Sequence, residues 1–350
     1  MFNPSDIKNI LIIRPSALGD VARSVPAAVS IKKQFPHAQL HWMVQQNFAD
    51  ILQEHPAIDQ VIDFNRNALK SYPEFKQFIQ WIKQLRQKKY DLVIDLQGLL
   101  RSGIITKLTG AKHRLGYKNA REFAWLGYNI KFKTDHAQHA VDQMLTLLQH
   151  AQIPTTTDLK LYTSPQACQW RNEYLKTIPT DQNRYTLIAP TARWLCKCWP
   201  IEKYIQIINQ LLTEKIAGEK IIILASPSEQ KQIKPIRDAF PKSHDIDYPQ
   251  TTISQMMALI QSARLIVCND SAPLHIAVGF SKPIVALFGP TDPAKVGPYQ
   301  RPHTLVQPQK ISPAQMKNYR KQKNDQSLIS QISTQQVWQT ILDQIKKHPL

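Results

Sequence analysis

Apolar positions along the chain fall into short runs separated by amphipathic stretches. "NILIIR" (Asn9–Arg14) is a brief apolar run of the kind expected of a buried parallel strand, and "VPAAVSIKKQF" after it has helical spacing. "AQLHWMV" (Ala38–Val44) again reads as a strand. In "YPEFKQFIQWIKQLRQKK" (Tyr72–Lys89), Phe75, Phe78, Ile79, Ile82 and Leu85 share one helical face, and "YDLVIDLQG" (Tyr90–Gly98) is the next strand, with a helix after it. The rhythm stops after a helical stretch at His136–His150, where "IPTTTDLKLYTSP" and "IPTDQNR" read as a boundary with connecting material. It then restarts. Strands are predicted at Tyr185–Pro190, Lys220–Ser226, Arg264–Asp270 and Pro283–Gly289. Helices are predicted at Ile201–Leu212, Glu229–Phe240, Ile253–Ala263, Ala272–Phe280 and Thr334–Lys347. This βαβα alternation predicts an α/β protein of two tandem parallel-sheet domains with a cleft between them, and ligands beyond the C-terminal strand ends.

Composition changes this picture little, and charge changes it more. A chain of 350 residues with 43% hydrophobic and 20% charged residues is ordinary globular material of roughly two domains. No apolar run approaches the ~18 residues of a membrane span, and "MFNPSDIKN" lacks the pattern of a secretory leader. Cys168, Cys196, Cys198 and Cys268 match neither a zinc site nor a CxxC pair and read as reduced thiols. The net charge is +18, spread as 20 Lys and Arg against 12 acids over residues 1–150 and 24 against 14 over residues 151–350. An anionic membrane surface, a phosphorylated ligand and nucleic acid would each suit that excess. No zinc-finger spacing, RNA-binding aromatic signature or basic helix with heptads supports the nucleic-acid reading.

Three loops carry candidate chemistry. In "LIIRPSALGDVARSVPA" (Leu11–Ala27) a strand hands over to a helix through one glycine, Gly19, and an acid, Asp20. A dinucleotide oxidoreductase or epimerase would need three glycines at such a turn, and none of the 10 glycines is so arranged. Asp20 reads either as an N-cap or as a general base. In "NDSAPLHIA" (Asn269–Ala277), Ser271 is placed to cap a helix whose start favours a phosphate. Asp270 would repel that phosphate and suits sugar hydroxyls, while His275 either faces the phosphates or packs. In "PTARWLCKCWP" (Pro190–Pro200), Thr191, Arg193 and Lys197 suit a diphosphate, or form a solvated basic loop anchored by Trp194 and Trp199. "FGPTDPAKVGPY" (Phe288–Tyr299) reads as a plain turn. Asp245 and Asp247 have the spacing of a metal-binding acid pair, but no further acids surround them, which argues against a metal site.

"ILIIRPSALGDVARSVPA", "VIDLQGLLRSG", "NAREFAWLGYN", "HAVDQ", "KCWP", "NDSAPLHIAV" and "VALFGPTDPAKVGPY" together resemble glycosyltransferase family 9, the lipopolysaccharide heptosyltransferases, in order over about residues 9–300. The middle segments are most similar to the heptosyltransferase I branch, although Ala272 stands where that branch commonly has glycine. The resemblance implies a GT-B fold of two Rossmann-like domains. Residues 1–165 would bind the acceptor, residues 182–330 the nucleotide sugar, and a final helix at 333–348 would pack back on the first domain. It implies metal-independent, inverting transfer from ADP-heptose, a substrate and not a cofactor, to the Kdo of the inner core. Asp20 would be the base and Lys197 would balance the leaving diphosphate. Thr191, Arg193, Glu229, Asp270, Ser271, Ala272 and His275 would hold the donor. Ser16, Arg101, Arg114, Lys118 and Arg121 would meet the Kdo–lipid A acceptor, whose anionic groups give a use to the eight Lys and Arg against one acid between Arg101 and Lys133. A relative using another nucleotide sugar, or adding to a heptose in the manner of heptosyltransferase II, fits the same motifs. A monomer is expected, in the cytoplasm and peripheral to the anionic inner leaflet of a Gram-negative inner membrane, with no nucleic-acid partner. The remaining alternative, a nucleic-acid-binding protein using the basic surface, leaves Asp20, Asp270 and Lys197 without a role.

Overall fold

The computed structural model describes residues 2–65, 72–178, 185–218, 220–241, 243–312, 315–316, 319 and 321–348, excepting the side chains of 72, 73 and 75. The chain divides into two compact units, Met1–Tyr162 and Thr163–Leu350.

The first unit runs β1 (Asn9–Ile13), α1 (Leu18–Arg23), α2 (Val25–Gln34), β2 (Gln39–Gln45), β3 (Gln60–Phe64), α3 (Tyr72–Gln87), β4 (Leu92–Asp95), α4 (Leu100–Leu108), β5 (His113–Tyr117), β6 (Ile130–Phe132) and α5 (Ala140–His150). Its sheet is parallel in the order β3-β2-β1-β4-β5-β6, with Ile12 in register with Trp42 on one side and Ile94 on the other. Ile10 to Ile13 are fully buried, as a central strand covered on both faces requires. α3 presents Phe78, Ile82 and Leu85 to the core with Leu11, Ile13 and Val93. Ile79, expected on that face, is exposed at the stripe's edge, and the Phe75 side chain lies outside the described residues.

The second unit continues with α6 (Pro165–Thr177), β7 (Tyr185–Ala189), α7 (Ile201–Glu214), β8 (Lys220–Ile223), α8 (Lys234–Ala239), β9 (Ile246–Asp247), α9 (Ile253–Ser262), β10 (Leu265–Asn269), α10 (Ala272–Gly279), β11 (Ile284–Leu287), α11 (Pro293–Val296), β12 (Leu305–Val306) and α12 (Thr334–Lys347). Its parallel order is β12-β11-β10-β7-β8-β9. Both sheets thus follow the 3-2-1-4-5-6 order of a doubly wound fold, as expected. The expected boundary material holds a helix instead: Ser164 caps α6 by accepting the Ala167 N–H at 3.2 Å, and α6 packs on α9. The boundary expected at 182 falls outside the described residues. The helix expected from Glu229 starts only at Lys234, because Pro235 is tolerated in a first turn and not inside a helix. The last helix, expected on the first domain, has its buried Val337 and Ile341 in the second unit's core beside Val285 and Leu287.

Candidate active site

In each unit the chain reverses direction across the sheet at one switch point, β1/β4 in the first and β7/β10 in the second. Loops at the C-terminal ends of such strands are where ligands bind in this class of sheet.

At the first switch point, Arg14 is the first residue past β1, and its Nη1 donates to the Leu96 carbonyl beyond β4 at 2.6 Å. Asp20 does not cap α1. The cap position is Ala17, whose N–H donates to Asp20 Oδ2 at 3.3 Å, so Asp20 and Gly19 lie inside the first helical turn. Asp20 Oδ1 accepts from Arg23 Nη2 one turn along, and Arg14 Nη2 stands 3.5 Å from Oδ2. Burial pushes the Asp20 carboxyl up, but the two guanidiniums outweigh it and hold the group well below the ordinary carboxylate range. Arg23 is only 7% exposed. Its Nε and Nη1, and the Nε of Arg14, are buried without hydrogen-bond partners. The cluster therefore has one more cation than anions.

Asp95, which sequence reasoning passed over, fixes the loop behind this cluster. It is fully buried, and burial raises its pKa despite hydrogen bonds from the Tyr128 hydroxyl at 2.6 Å and the N–H groups of Gln97 and Gly98 at 2.8 and 3.1 Å. Gly98 takes a left-handed φ of 65°, which a side chain would strain. The loop so folded sets the Leu96 carbonyl that holds Arg14. An acid closing an apolar strand at a switch point was the sequence signal for it.

Of the expected acceptor residues, Ser16 is half-buried in the loop after β1, Arg101 is exposed in the first turn of α4, and Lys118 and Arg121 are exposed beyond β5. The Arg121 N–H donates to the Gly98 carbonyl at 3.2 Å, which joins that loop to the one carrying Leu96. Arg114 is corrected. It lies near the start of β5, at the opposite end of the sheet, with Nε donating to the Gly127 carbonyl at 3.1 Å and Nη1 to the Ala111 carbonyl at 2.6 Å. Its charge holds backbone and does not face the loops of Asp20.

At the second switch point, Asn269 ends β10 fully buried. Its Nδ2 donates to the Pro190 carbonyl at 2.7 Å, and its Oδ1 accepts the Trp199 N–H at 3.2 Å and the Tyr204 hydroxyl at 3.0 Å. This amide, not singled out from sequence, ties the loop after β7 to the end of β10. It thereby sets Lys197, whose Nζ lies 2.6 Å from Asp270 Oδ2. Lys197 also stands 5.5 Å from the Trp194 ring centroid and 5.6 Å from that of Tyr319, cation–π geometry in both cases. Trp199 is the packing anchor expected, with Nε1 donating to the Ile332 carbonyl at 3.0 Å; Trp194 instead serves the cation. The repulsion expected between Asp270 and a phosphate is largely cancelled by the Lys197 ammonium.

Ser271 occupies the cap position of α10, but its hydroxyl bonds no helix N–H and donates to the Asn269 carbonyl at 3.3 Å. Thr191 and His275 are buried, Ala272 opens α10, and Arg193 is exposed. Glu229, beyond β8, accepts the Ser226 N–H at 2.9 Å and the Ser226 hydroxyl at 2.7 Å, both on Oε2. Beyond β11, Asp292 caps α11, and the Thr291 hydroxyl is buried without a hydrogen-bond partner. Asp245 pairs with Lys220 at 2.7 Å and Asp247 accepts from the Tyr174 hydroxyl. Among the described residues no group of three or more His, Cys, Asp or Glu could hold a metal ion. No helix among them is long and apolar enough to cross a membrane.

A family model described as glycosyltransferase family 9 (heptosyltransferase) matches residues 78–326. The chain is 28% identical over 301 residues to lipopolysaccharide heptosyltransferase 1 of Escherichia coli O18:K1:H7, covering 83% of this chain and 88% of that protein. It is 28% identical over 302 residues to lipopolysaccharide heptosyltransferase 1 of Pseudomonas aeruginosa, covering 83% and 81%. Among solved structures, a family 9 glycosyl transferase from Veillonella parvula superposes with a TM-score of 0.84 at 19% identity, over 97% of this chain and 98% of that one. The E. coli heptosyltransferase WaaC with ADP-2-deoxy-2-fluoro heptose superposes with a TM-score of 0.74 at 24% identity, over 96% and 99%. At these identities the superpositions show a common fold.

Proposed function

The chain belongs to glycosyltransferase family 9, and from that premise we propose that it moves heptose from ADP-heptose to the Kdo of the lipopolysaccharide or lipooligosaccharide inner core, with inversion and without a metal. The observation that carries the reading is Asp20 held between Arg14 and Arg23 at the β1/β4 switch point of a family 9 chain. In the proposed step the acceptor hydroxyl oxygen bonds to the anomeric carbon and its proton passes to Asp20. The bond from that carbon to the diphosphate oxygen breaks, and ADP leaves with the electron pair.

The arginines keep Asp20 ionised at neutral pH but make it a weak base. A weak base suits this step, because a sugar hydroxyl becomes acidic as its oxygen bonds to an electron-poor carbon. The net positive charge of two guanidiniums around one carboxylate attracts an anionic acceptor. That supports a Kdo-bearing acceptor, with Ser16, Arg101, Lys118 and Arg121 beside it. Lys197 takes up the charge that grows on the diphosphate, with Thr191, Arg193, Ser271, Ala272 and His275 around the phosphates. Asp270 Oδ1 accepts from heptose hydroxyls, and Glu229 Oε1 from the adenosine ribose. The enzyme works as a monomer at the cytoplasmic face of the inner membrane. Purified protein given ADP-heptose and de-acylated Kdo–lipid A should form a product one heptose heavier and release ADP in equal amount. Transfer only from another nucleotide sugar, or only onto a heptose-bearing acceptor, would overturn the reading.

A further inference from the structure

The large apolar side chains that the described residues leave exposed are Ile79, Leu100, Ile104, Phe123, Leu126 and Leu195. Four of these six belong to one face of the first unit, on α4 and the turn that packs against it. Leu100 and Ile104 are one helical turn apart on α4. The turn at Ala124–Gly127 meets α4 backbone to backbone. A Cβ on Gly103 would come 2.4 Å from the Ala124 carbonyl oxygen, and one on Gly127 would come 2.1 Å from that of Gly103, so glycine is required at both. The Leu100 N–H donates to Glu122 at 3.3 Å and closes the other end of the contact. Phe123 is 68% exposed and Leu126 61%. Glu122 and Phe123 have successive left-handed φ angles of 54° and 60°, a conformation disfavoured for an aromatic residue, and it leaves the Phe123 ring in water.

The rim of this face is basic. Arg101, Lys107, Lys118, Arg121 and Lys131 are all exposed, against Glu122 as the one acid between Arg101 and Lys133. Exposed apolar anchors set among Lys and Arg suit the headgroup boundary of an anionic bilayer. A nucleic acid backbone would give four exposed aliphatic and aromatic side chains nothing to bind, and a second copy of the chain would bring the same positive charge against itself.

We propose that this face docks on an anionic lipid bilayer, with Leu100, Ile104, Phe123 and Leu126 entering the headgroup boundary and the surrounding Lys and Arg meeting lipid phosphates. The proposal deepens the lipid-borne acceptor of the proposed function and rests on that reading for its purpose. The face is continuous with the base's surroundings: the Arg121 N–H holds Gly98, in the loop whose Leu96 carbonyl holds Arg14. Docking there would bring a headgroup sugar to the loops around Asp20.

The test is flotation of the full chain with phosphatidylcholine vesicles, with and without phosphatidylglycerol. Wild type should float only with the anionic vesicles, and less as salt is added. The double variant Phe123→Asp/Leu126→Asp should lose about a hundredfold in vesicle affinity, since each apolar side chain withdrawn from the boundary costs about tenfold. Aspartate tolerates the left-handed backbone at 123, so the variant should keep its melting temperature, and Phe123→Trp should bind as wild type does. Failure of wild type to float with anionic vesicles, or equal flotation of the double variant, would overturn the proposal. So would a dimer in vesicle-free solution that the double variant abolishes, which would assign the face to a second copy. Transfer to the de-acylated, water-soluble acceptor separates the two readings. Flotation without transfer sinks the proposed function alone, and transfer without flotation sinks the docking surface alone.

Discussion

At the β1/β4 switch point a carboxylate is held between two guanidiniums, while at the β7/β10 switch point an ammonium is held by a carboxylate beside two aromatic rings. The strand order is the same in both units, and so is the place in it. What differs is the balance of charge, two cations against one anion at the first and one against one at the second. Asp20 is a lone acid in a cationic setting, which keeps it ionised and leaves the cluster with a net positive charge. Lys197 is a cation already neutralised by Asp270, so a donor diphosphate meets a paired site whose positive end is held in place by Trp194 and Tyr319. Topology selects the location of a site, and the first few residues past each strand select its chemistry.

Lys197 is where the comparison breaks most visibly. Lys197→Ala should cut kcat by about 10²-fold or more and weaken ADP, because charge on the leaving diphosphate grows toward the transition state. It also leaves Asp270 buried and unpaired, costing about 3 kcal/mol of stability. Adding Asp270→Asn should restore the melting temperature but not kcat. If the double variant recovers both, Lys197 serves the fold and not the reaction.

Arg23→Gln sharpens the other side. In the folded state Asp20 has a pKa below its unfolded value of 3.8. Its ionised form therefore contributes stability above that pH, lost only as pH falls through the lower folded value. Removing one guanidinium should move the acid limb of the pH profile of kcat/KM to higher pH, because one of the charges that lower the Asp20 pKa is lost. A loss of activity equal at every pH would show that Arg23 only supports the helix.

Within the first unit, Arg121 and Arg114 should behave differently although both are arginines of one basic stretch. Arg121→Glu should raise the acceptor KM several-fold, more at low salt, because exposed charges are screened within about 8 Å at physiological ionic strength. Arg114→Gln should leave that salt dependence alone and lower stability by roughly 1.5–3 kcal/mol, since it withdraws charged hydrogen bonds from two carbonyls. Thermal melts and steady-state kinetics at two salt concentrations distinguish them. The smallest effect expected is none at all: excess EDTA should leave the rate of transfer unchanged. A rate lost to EDTA and restored by Mg²⁺ would move the centre toward Asp245 and Asp247.

The sequence makes legible what repeats along the chain and little of what meets across it. The central strands β1, β4, β7, β10 and β11 are short apolar runs because both their faces are covered, and all five are legible. β5 reads "HRLGY" and β9 only "ID", and such short, half-polar strands carry no period to recognise. α6 went unseen because its buried apolar residues are only Ala167 and Leu175. Asp20, Lys197 and Asp270 were visible as acids and bases at strand ends, and the family resemblance gave them roles. Their partners were not visible: Arg14 and Arg23 around Asp20, Asp95 behind the loop and Asn269 between two loops are matters of tertiary contact. Arg114 was misplaced for the same reason, because a count of charge along the chain cannot tell a guanidinium facing a ligand from one holding a carbonyl.

The division of labour between the two switch points is tested most directly by Asp20→Asn, measured for kcat with both substrates and for ADP affinity by calorimetry. The change removes the base and leaves the second unit's residues untouched. The account predicts a kcat reduced by about 10²–10⁴-fold with ADP affinity within a few-fold of wild type. A variant that keeps more than about a tenth of wild-type kcat, against that range, or that loses ADP binding as severely as Lys197→Ala, would contradict it.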